Sequence, residues 1–297
     1  MNLLITAGVD GLAIGAIYAL VSFGYALVFK ASHTINLASG SLLLIGGYLA
    51  FEIGAGNLGA PFLVAAIGGV LGVACLGWAA YRLIGRPLSG ASPDSLVVAT
   101  IGLDMAVRAL MSAEHTWSHN SLDVGAPWMS AVSIAGHSVA QSDLWIIAIS
   151  LVVLLLLGLM VERTAFGLTM RACAEDHEAA SAQGISTHRN LAVAWVLAAA
   201  LAALAGILVG AFPRTLDVSN YSWALRALPA VVIGGMDSLR GAVVGGVLVG
   251  LVEAFSSAYQ PAWLGVGYQL VLPYAVMLVV LLLRPQGLFG SKDVVRV

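Results

Sequence analysis

Charge is what this chain has least of. Only 9% of its 297 residues are Asp, Glu, Lys or Arg, against about a quarter in an ordinary soluble domain. A water-soluble fold of this length cannot cover its surface with so few charged groups. Lysine occurs only twice, as Lys30 and Lys292. Neither closes a Gly-x-x-x-x-Gly-Lys-Ser/Thr loop, which argues against ATP binding by the usual phosphate-cradling chemistry. The two cysteines, Cys75 and Cys173, form neither a disulfide framework nor a metal-ligand spacing. A net charge of −2 argues against a general nucleic-acid partner. No Ser/His pair, aspartate pair or His-Glu-x-x-His run falls at membrane depth, so an intramembrane enzyme is disfavoured. No catalytic residue, resident metal or cofactor is expected.

Apolar residues make up 60% of the chain, and the mean hydropathy is +0.96. Apolar stretches recur at about 5–29, 36–54, 61–84, 95–113, 144–161, 190–211, 223–238, 239–258 and 266–283. Each approaches the ~20 residues that cross a bilayer as a helix. The expectation is an all-α integral membrane protein with about nine, between eight and ten, transmembrane helices, forming one domain over 1–297. The segment near 223–238 carries Arg226, Pro229 and Gly234-Gly235 and is a candidate re-entrant segment, since broken helices at membrane depth must be buried or line a cavity. No basic region precedes the first stretch, so it reads as a retained span and not a cleaved signal.

Basic residues set the orientation. The interruption at 114–143 has no Lys or Arg, whereas 162–189 has Arg163, Arg171 and Arg189. Placing the latter inside, with Lys30, Arg82, Arg86, Arg284, Lys292 and Arg296, puts the N-terminus outside and the C-terminus inside. Arg214 is the exception. The outside loop holds His115 and His119 without a third ligand at convincing spacing, and reads better as a docking surface with Trp117 and Trp128 near the interface.

Glycine is abundant, at 34 residues, and several spans carry it at four-residue spacing: Gly11 and Gly15, Gly68 and Gly72, Gly206 and Gly210, Gly241 and Gly245, Gly246 and Gly250. Such pairs let a second backbone approach closely, most simply within the subunit. Two features carry function. In the inside loop, Glu175, Asp176 and Glu178 precede the small residues Ala179, Ala180, Ser181 and Ala182, with Gly184 following. Acids suit a helix start and Gly the left-handed position past its end, so a short slim helix lying along the membrane is expected. Within the spans, Asp104 and Arg108 stand one helical turn apart, as an orienting ion pair or as two charges of a polar path for a zwitterion. Asn36 and Ser39 are helix-cap residues or path contacts. Glu253 and Glu52 sit late in their spans and read as reaching the outside interface.

The run Glu178-Ala179-Ala180 with Gly184 resembles the EAA signature of ABC importer permeases. The stretches GLAIGAIYALVSFGYALVFKASHTINLASG (11–40), GLTMRACAEDHEAASAQG (167–184), ALAGILVG (203–210), GGMDSLRGAVVGGVLVGLVEA (234–254) and RPQGLFG (284–290) together resemble the branched-chain amino acid ABC transporter permease family, on the side of its H-type subunit. The resemblance implies a type II-like ABC importer permease in a bacterial inner membrane, moving branched-chain or related amino acids delivered by an external binding protein. It implies a homologous permease partner and two cytoplasmic ATPase subunits that bind the ATP. It also implies that the loop at about 162–189, through Glu175, Asp176, Glu178, Ala179, Ala180 and Gly184, couples to those ATPases, while Asn36, Ser39, Asp104 and Arg108 are candidates for the translocation path. One departure bears on substrate: after Ile35-Asn36 the family usually has Phe-Ala-His-Gly, and this chain has Leu37-Ala38-Ser39-Gly40. Relatives on a similar scaffold move urea or short amides, which is the first alternative. A stand-alone channel or ion-coupled carrier is the second.

Overall fold

The structure is a computed structural model that describes residues 2–113, 122–128, 130–134, 137–211, 214–260 and 267–290. His115, Trp117, His119, Lys292 and Arg296 lie outside the described residues. The chain folds as helices α1 (Asn2–Ser32), α2 (Ser39–Ile53), α3 (Phe62–Ala80, continued by a π turn over Tyr81–Gly85) and α4 (Pro93–Ala113). A short antiparallel hairpin, β1 (Ala131–Ile134) with β2 (His137–Ala140), leads into α5 (Gln141–Arg163). There follow α6 (Ala165–Glu175), α7 (His177–Ala182), α8 (Thr187–Val209), α9 (Ser222–Arg226), α10 (Leu228–Gly234), α11 (Leu239–Ala258) and α12 (Tyr268–Leu283).

Among the described residues, six helices, or helix runs, are long and apolar enough to cross a membrane: α1, α3 with its π turn, α4, α5, α8 and α11. Helices α2 and α12 are apolar but shorter, at 15 and 16 residues. The stretch expected at 223–238 is not one continuous helix. It is the short helices α9 and α10, entered through a 3-10 turn at Val218–Tyr221. Pro229, in the first turn of α10, has no N–H to continue the preceding turn, and Gly235 ends α10 at a φ of +102°.

Helix α1 is the pillar, packed most extensively against α11 and then α8. An added Cβ on Gly15 would lie 2.8 Å from Val247 Cα, and one on Gly250 would run into the backbone of Gly15. The glycine pairs of α1 and α11 therefore interlock inside the subunit, as do those of α8, whose Gly206 lies against the Leu43 carbonyl of α2. The outer helices turn large apolar side chains outward, among them Val98, Met105, Leu110, Leu151, Leu155 and Leu282. In water these would be a solubility failure, and in lipid they are the solvated surface.

Polar contacts gather at the two ends of the pillar. Near its start, Arg214 pairs with Asp10 at 2.7 Å and Asp143 at 2.9 Å. Near its finish, Lys30 donates to the Asp237 carbonyl at 3.4 Å. Asp10 and Lys30 are separated by a rise of about 30 Å at helical geometry. At the Lys30 end the Arg-Pro-Gln-Gly-Leu-Phe-Gly tail folds back. Leu288 N–H donates to Ile233 O and Phe289 N–H to Gly234 O, at 2.8 and 3.0 Å, so this sequence caps the orphan carbonyls of α10. Trp128 is buried, edge-on to Phe62 at 4.9 Å and stacked on Trp145 at 5.7 Å. It is a packing residue and not part of an open docking surface.

Candidate functional site

The interrupted segment 218–227 is the centre of one candidate region. A break within apolar surroundings frees backbone carbonyls that need partners. Here Tyr25 donates its hydroxyl to Ala224 O at 3.1 Å, Ser22 to Ala227 O at 3.1 Å, and Tyr274 to Leu225 O at 3.4 Å. Hydroxyls of α1 and α12 thus hold the break open in a fixed shape.

On one side of the break stand the four residues expected along a path. Arg108 holds the Asp104 carboxylate through Nε and Nη2, both at 2.8 Å. The other Asp104 oxygen accepts the Ser41 N–H at 3.0 Å. This joins α4 to the first turn of α2, where N–H groups have no helical acceptor. Asn36 Oδ1 accepts the Ala38 N–H at 3.0 Å and Ser39 donates its hydroxyl to Asn36 O at 2.9 Å. Both are buried; these bonds shape the local turn that starts α2, and the Ser39 hydroxyl also neighbours that of Tyr25. Arg108 instead lies over the Tyr221 ring, 4.3 Å from its centroid. The break, α2 and α4 therefore meet at the Asp104–Arg108 pair.

Replacing Asp104 by Asn keeps an oxygen for the Ser41 N–H and removes the charge facing Arg108. The expected cost is about 1–2 kcal/mol of stability, read as a lowered melting temperature of the purified protein in detergent. Exchanging Asp104 and Arg108 is expected to be no rescue, because a guanidinium would then face the Ser41 N–H. Recovery of stability in the exchanged variant would refute the capping role.

On the other side of the break is a group that sequence reasoning misassigned. Glu253 is buried, not at an interface. Its carboxylate accepts the Tyr18 hydroxyl at 2.5 Å and pairs with Arg226 at 3.4 Å. Arg226 also donates to the Ser222 hydroxyl at 3.0 Å and lies 5.6 Å from the Trp223 ring centroid. The available signal was that Glu253 and Arg226 are opposite charges in two neighbouring apolar segments. The third partner, Tyr18, lies 235 residues from Glu253 and leaves no local trace.

The second candidate region is the loop between α5 and α8. Thr164 breaks the helix after Arg163 with extended backbone, and α6 turns back along the protein. Arg171 donates to Val161 O at 2.8 Å, satisfying a last-turn carbonyl of α5. Thr169 donates to the Asn190 side chain at 3.0 Å, and Asn190 donates to Cys173 Sγ at 3.2 Å. These contacts fix α6 against α5 and α8. Asp176 then accepts the Ala179 N–H at 2.9 Å as the N-cap of α7. At the other end the Ile185 N–H reaches Ala180 O at 3.1 Å and the Gly184 N–H reaches Ser181 O at 3.0 Å, with Gly184 at a φ of +79°. This pair of bonds is a Schellman closure. Ala179 is exposed and Ala180 is buried. The Glu178 side chain lies outside the described residues. Glu175 has a different position from Asp176: it ends α6 and lines two cavities, of about 270 and 580 Å³, that also share His33, the residue just past α1, in their lining. Among the described residues no three His, Cys, Asp or Glu side chains come together as a metal site.

Helices wrapped around a central pillar, with one segment interrupted between buried ion pairs, form the architecture of a multi-pass transport protein. Residues 8–281 match the family described as branched-chain amino acid transport system, permease component. The chain is 32% identical over 305 residues to the high-affinity branched-chain amino acid transport system permease protein LivH of Escherichia coli (strain K12), covering 97% of this chain and 96% of that one. It is 28% identical over 300 residues to the corresponding permease protein BraD of Pseudomonas aeruginosa, with the same coverage of 97% and 96%. Among solved structures, PsaBC from Streptococcus pneumoniae in complex with Fab aligns over 94% of this chain and 91% of that one, with a TM-score of 0.48 and 14% identity. The protein belongs to the branched-chain amino acid permease family, and it is a membrane transport subunit.

Proposed function

We propose that this chain is the permease subunit of an ATP-driven importer in a bacterial inner membrane, taking up branched-chain or closely related amino acids presented by an external binding protein. A homologous permease completes the path, and two cytoplasmic ATPase chains close on nucleotide and move the α6–α7 loop. The observation that carries the coupling half of this reading is α7 itself: a slim helix capped at both ends, on a loop pinned to α5 and α8. Such a loop passes force to two long helices without deforming. The substrate half rests on the likeness to LivH and BraD over nearly the whole chain.

The same reading has nine crossings, the seventh of them interrupted, with the N-terminus outside and the C-terminus inside. It is supported by the two groups of end contacts. Arg214 keeps company with the starts of α1 and α5, whereas Gly234 lies beside Gly241 and the tail at the finish of α1. The chain between 214 and 234 thus passes from one end of the pillar to the other. Arg214, awkward on an outside loop by charge alone, is neutralised there by Asp10 and Asp143.

The test is ATP-dependent leucine uptake into proteoliposomes holding both permeases, the ATPases and the binding protein. Gly184→Val is expected to lower uptake at least about tenfold without lowering the amount inserted. A non-glycine residue in the left-handed region costs about 1–2 kcal/mol, and a β-branched one is a genuine outlier there. An added Cβ meets nothing within 4 Å, so the effect is confined to backbone. Gly184→Asn, which tolerates that conformation, is expected to keep most uptake. Full uptake by Gly184→Val would count against the coupling role of α7.

A further inference from the structure

The two ion pairs beside the break share an asymmetry. The carboxylates are spent and enclosed: Asp104 on Ser41 and Arg108, Glu253 on Tyr18 and Arg226, with side-chain exposures of 11% and 10%. The guanidiniums are not, with exposures of 29% for Arg108 and 28% for Arg226. Arg108 spends Nε and Nη2 on Asp104, and Arg226 spends Nη1 and Nη2 on Glu253 and Ser222. Nη1 of Arg108 has no protein acceptor among the described residues, and Arg226, which also neighbours the Tyr18 hydroxyl, keeps its partly exposed face. The break offers few competing acceptors, because its carbonyls at Ala224, Leu225 and Ala227 are taken by α1 and α12 hydroxyls. The partly exposed groups on either side of it are therefore positive and donating, with the rings of Tyr221 and Trp223 beside the two charges.

A guanidinium with unspent N–H groups at membrane depth is a receiver for an anionic group, and its planar fork matches a carboxylate. We propose that Arg108 and Arg226 are two successive stations for the carboxylate of the transported solute. They flank the stretch Tyr221–Leu225, whose helical rise is about 7.5 Å, so a small solute engages one at a time. Asp104 and Glu253 keep each station weak. They already neutralise the guanidinium, so a solute carboxylate binds by sharing it and leaves readily, as passage requires. In the importer reading above, the second permease closes over the stations. This inference rests on the amino-acid importer reading above and adds to it a pair of residues, Arg226 with Arg108, that recognise the carboxylate end of the solute.

The test uses the complete complex in proteoliposomes and reads tritiated leucine moved per ATP hydrolysed, alongside the melting temperature. Arg226→Lys and Arg108→Lys keep a positive charge facing Glu253 and Asp104 but lose the fork. Each is expected to lower leucine moved per ATP at least tenfold, and the double variant further. If Arg226→Lys does not accumulate, Glu253→Gln combined with Arg226→Gln removes both charges together, and the same loss is expected. Wild-type leucine moved per ATP in the lysine variants would overturn the proposal, as would a loss that only tracks a lowered melting temperature. A wild-type complex that moves urea and no leucine overturns the substrate reading itself. That failure is distinguished from the first because it appears before any arginine is changed.

Discussion

Gly250→Leu is expected to abolish the folded protein, read as loss of a monodisperse peak in detergent chromatography and of material in the membrane fraction. The reason is backbone proximity. Gly250 of α11 faces Gly15 of α1 so closely that even one added methyl would overlap the Gly15 backbone. Gly246 meets Ala19 in the same way one turn earlier, and Gly11 meets Leu251 and Ala254 one turn later. Small residues at four-residue spacing on both helices thus form a continuous seam. No rotamer of leucine escapes an overlap with main chain, so α11 must move off α1. That separation would also part Tyr18 from Glu253, which lie on the same two helices. A leucine at Gly102, where an added Cβ meets nothing within 4 Å, is the matched control and is expected to accumulate normally. Equal accumulation of the two variants would show that the seam is not what holds α1 to α11.

That seam marks how far the sequence alone could be read. The four-residue glycine spacing was visible, and packing inside the subunit was its simplest meaning, but not which helix faced which. The ends of α7 were legible because their determinants are local. Asp176 reaches an N–H three residues on, and the N–H groups of Gly184 and its neighbour Ile185 reach carbonyls three and five positions back. The interruption near 223–238 was legible from Pro229 and the paired glycines for the same reason. Its stabilisation was not, since the hydroxyls of Ser22 and Tyr25 come from about 200 residues away. Asp104 was visible as the partner of Arg108 one turn on. Its hold on the Ser41 N–H, 63 residues distant, could only come from the packing of α4 beside α2. Length also misled: α2 looked like part of a span over 36–54, yet its helix begins at Ser39, after a buried turn at Asn36.

Glu253 gives the second large effect, and its expected pattern separates charge from volume. Glu253→Leu leaves Arg226 without its carboxylate and Tyr18 without its acceptor, both beside apolar helices. Breaking a fully buried pair from one side costs about 3–5 kcal/mol, because an uncompensated charge remains, and the partial exposure of Arg226 puts this pair at the low end of that range. The variant should therefore melt far below the wild type or fail to accumulate. Glu253→Gln keeps an oxygen for the Tyr18 hydroxyl and a dipole for Arg226, so it should fall between the two. The decisive comparison is Glu253→Leu combined with Arg226→Leu. Removing both charges takes away the attraction and also the desolvation that opposed it, and such exchanges are often neutral in stability. The double variant is expected to recover most of the melting temperature lost by Glu253→Leu, a coupling that a double-mutant cycle measures directly. If the stations proposed above are correct, stability returns in the double variant while leucine transport does not. Recovery of both would make the pair purely architectural. Recovery of neither would mean that Glu253 holds α11 through Tyr18 alone, with Arg226 a bystander to the fold.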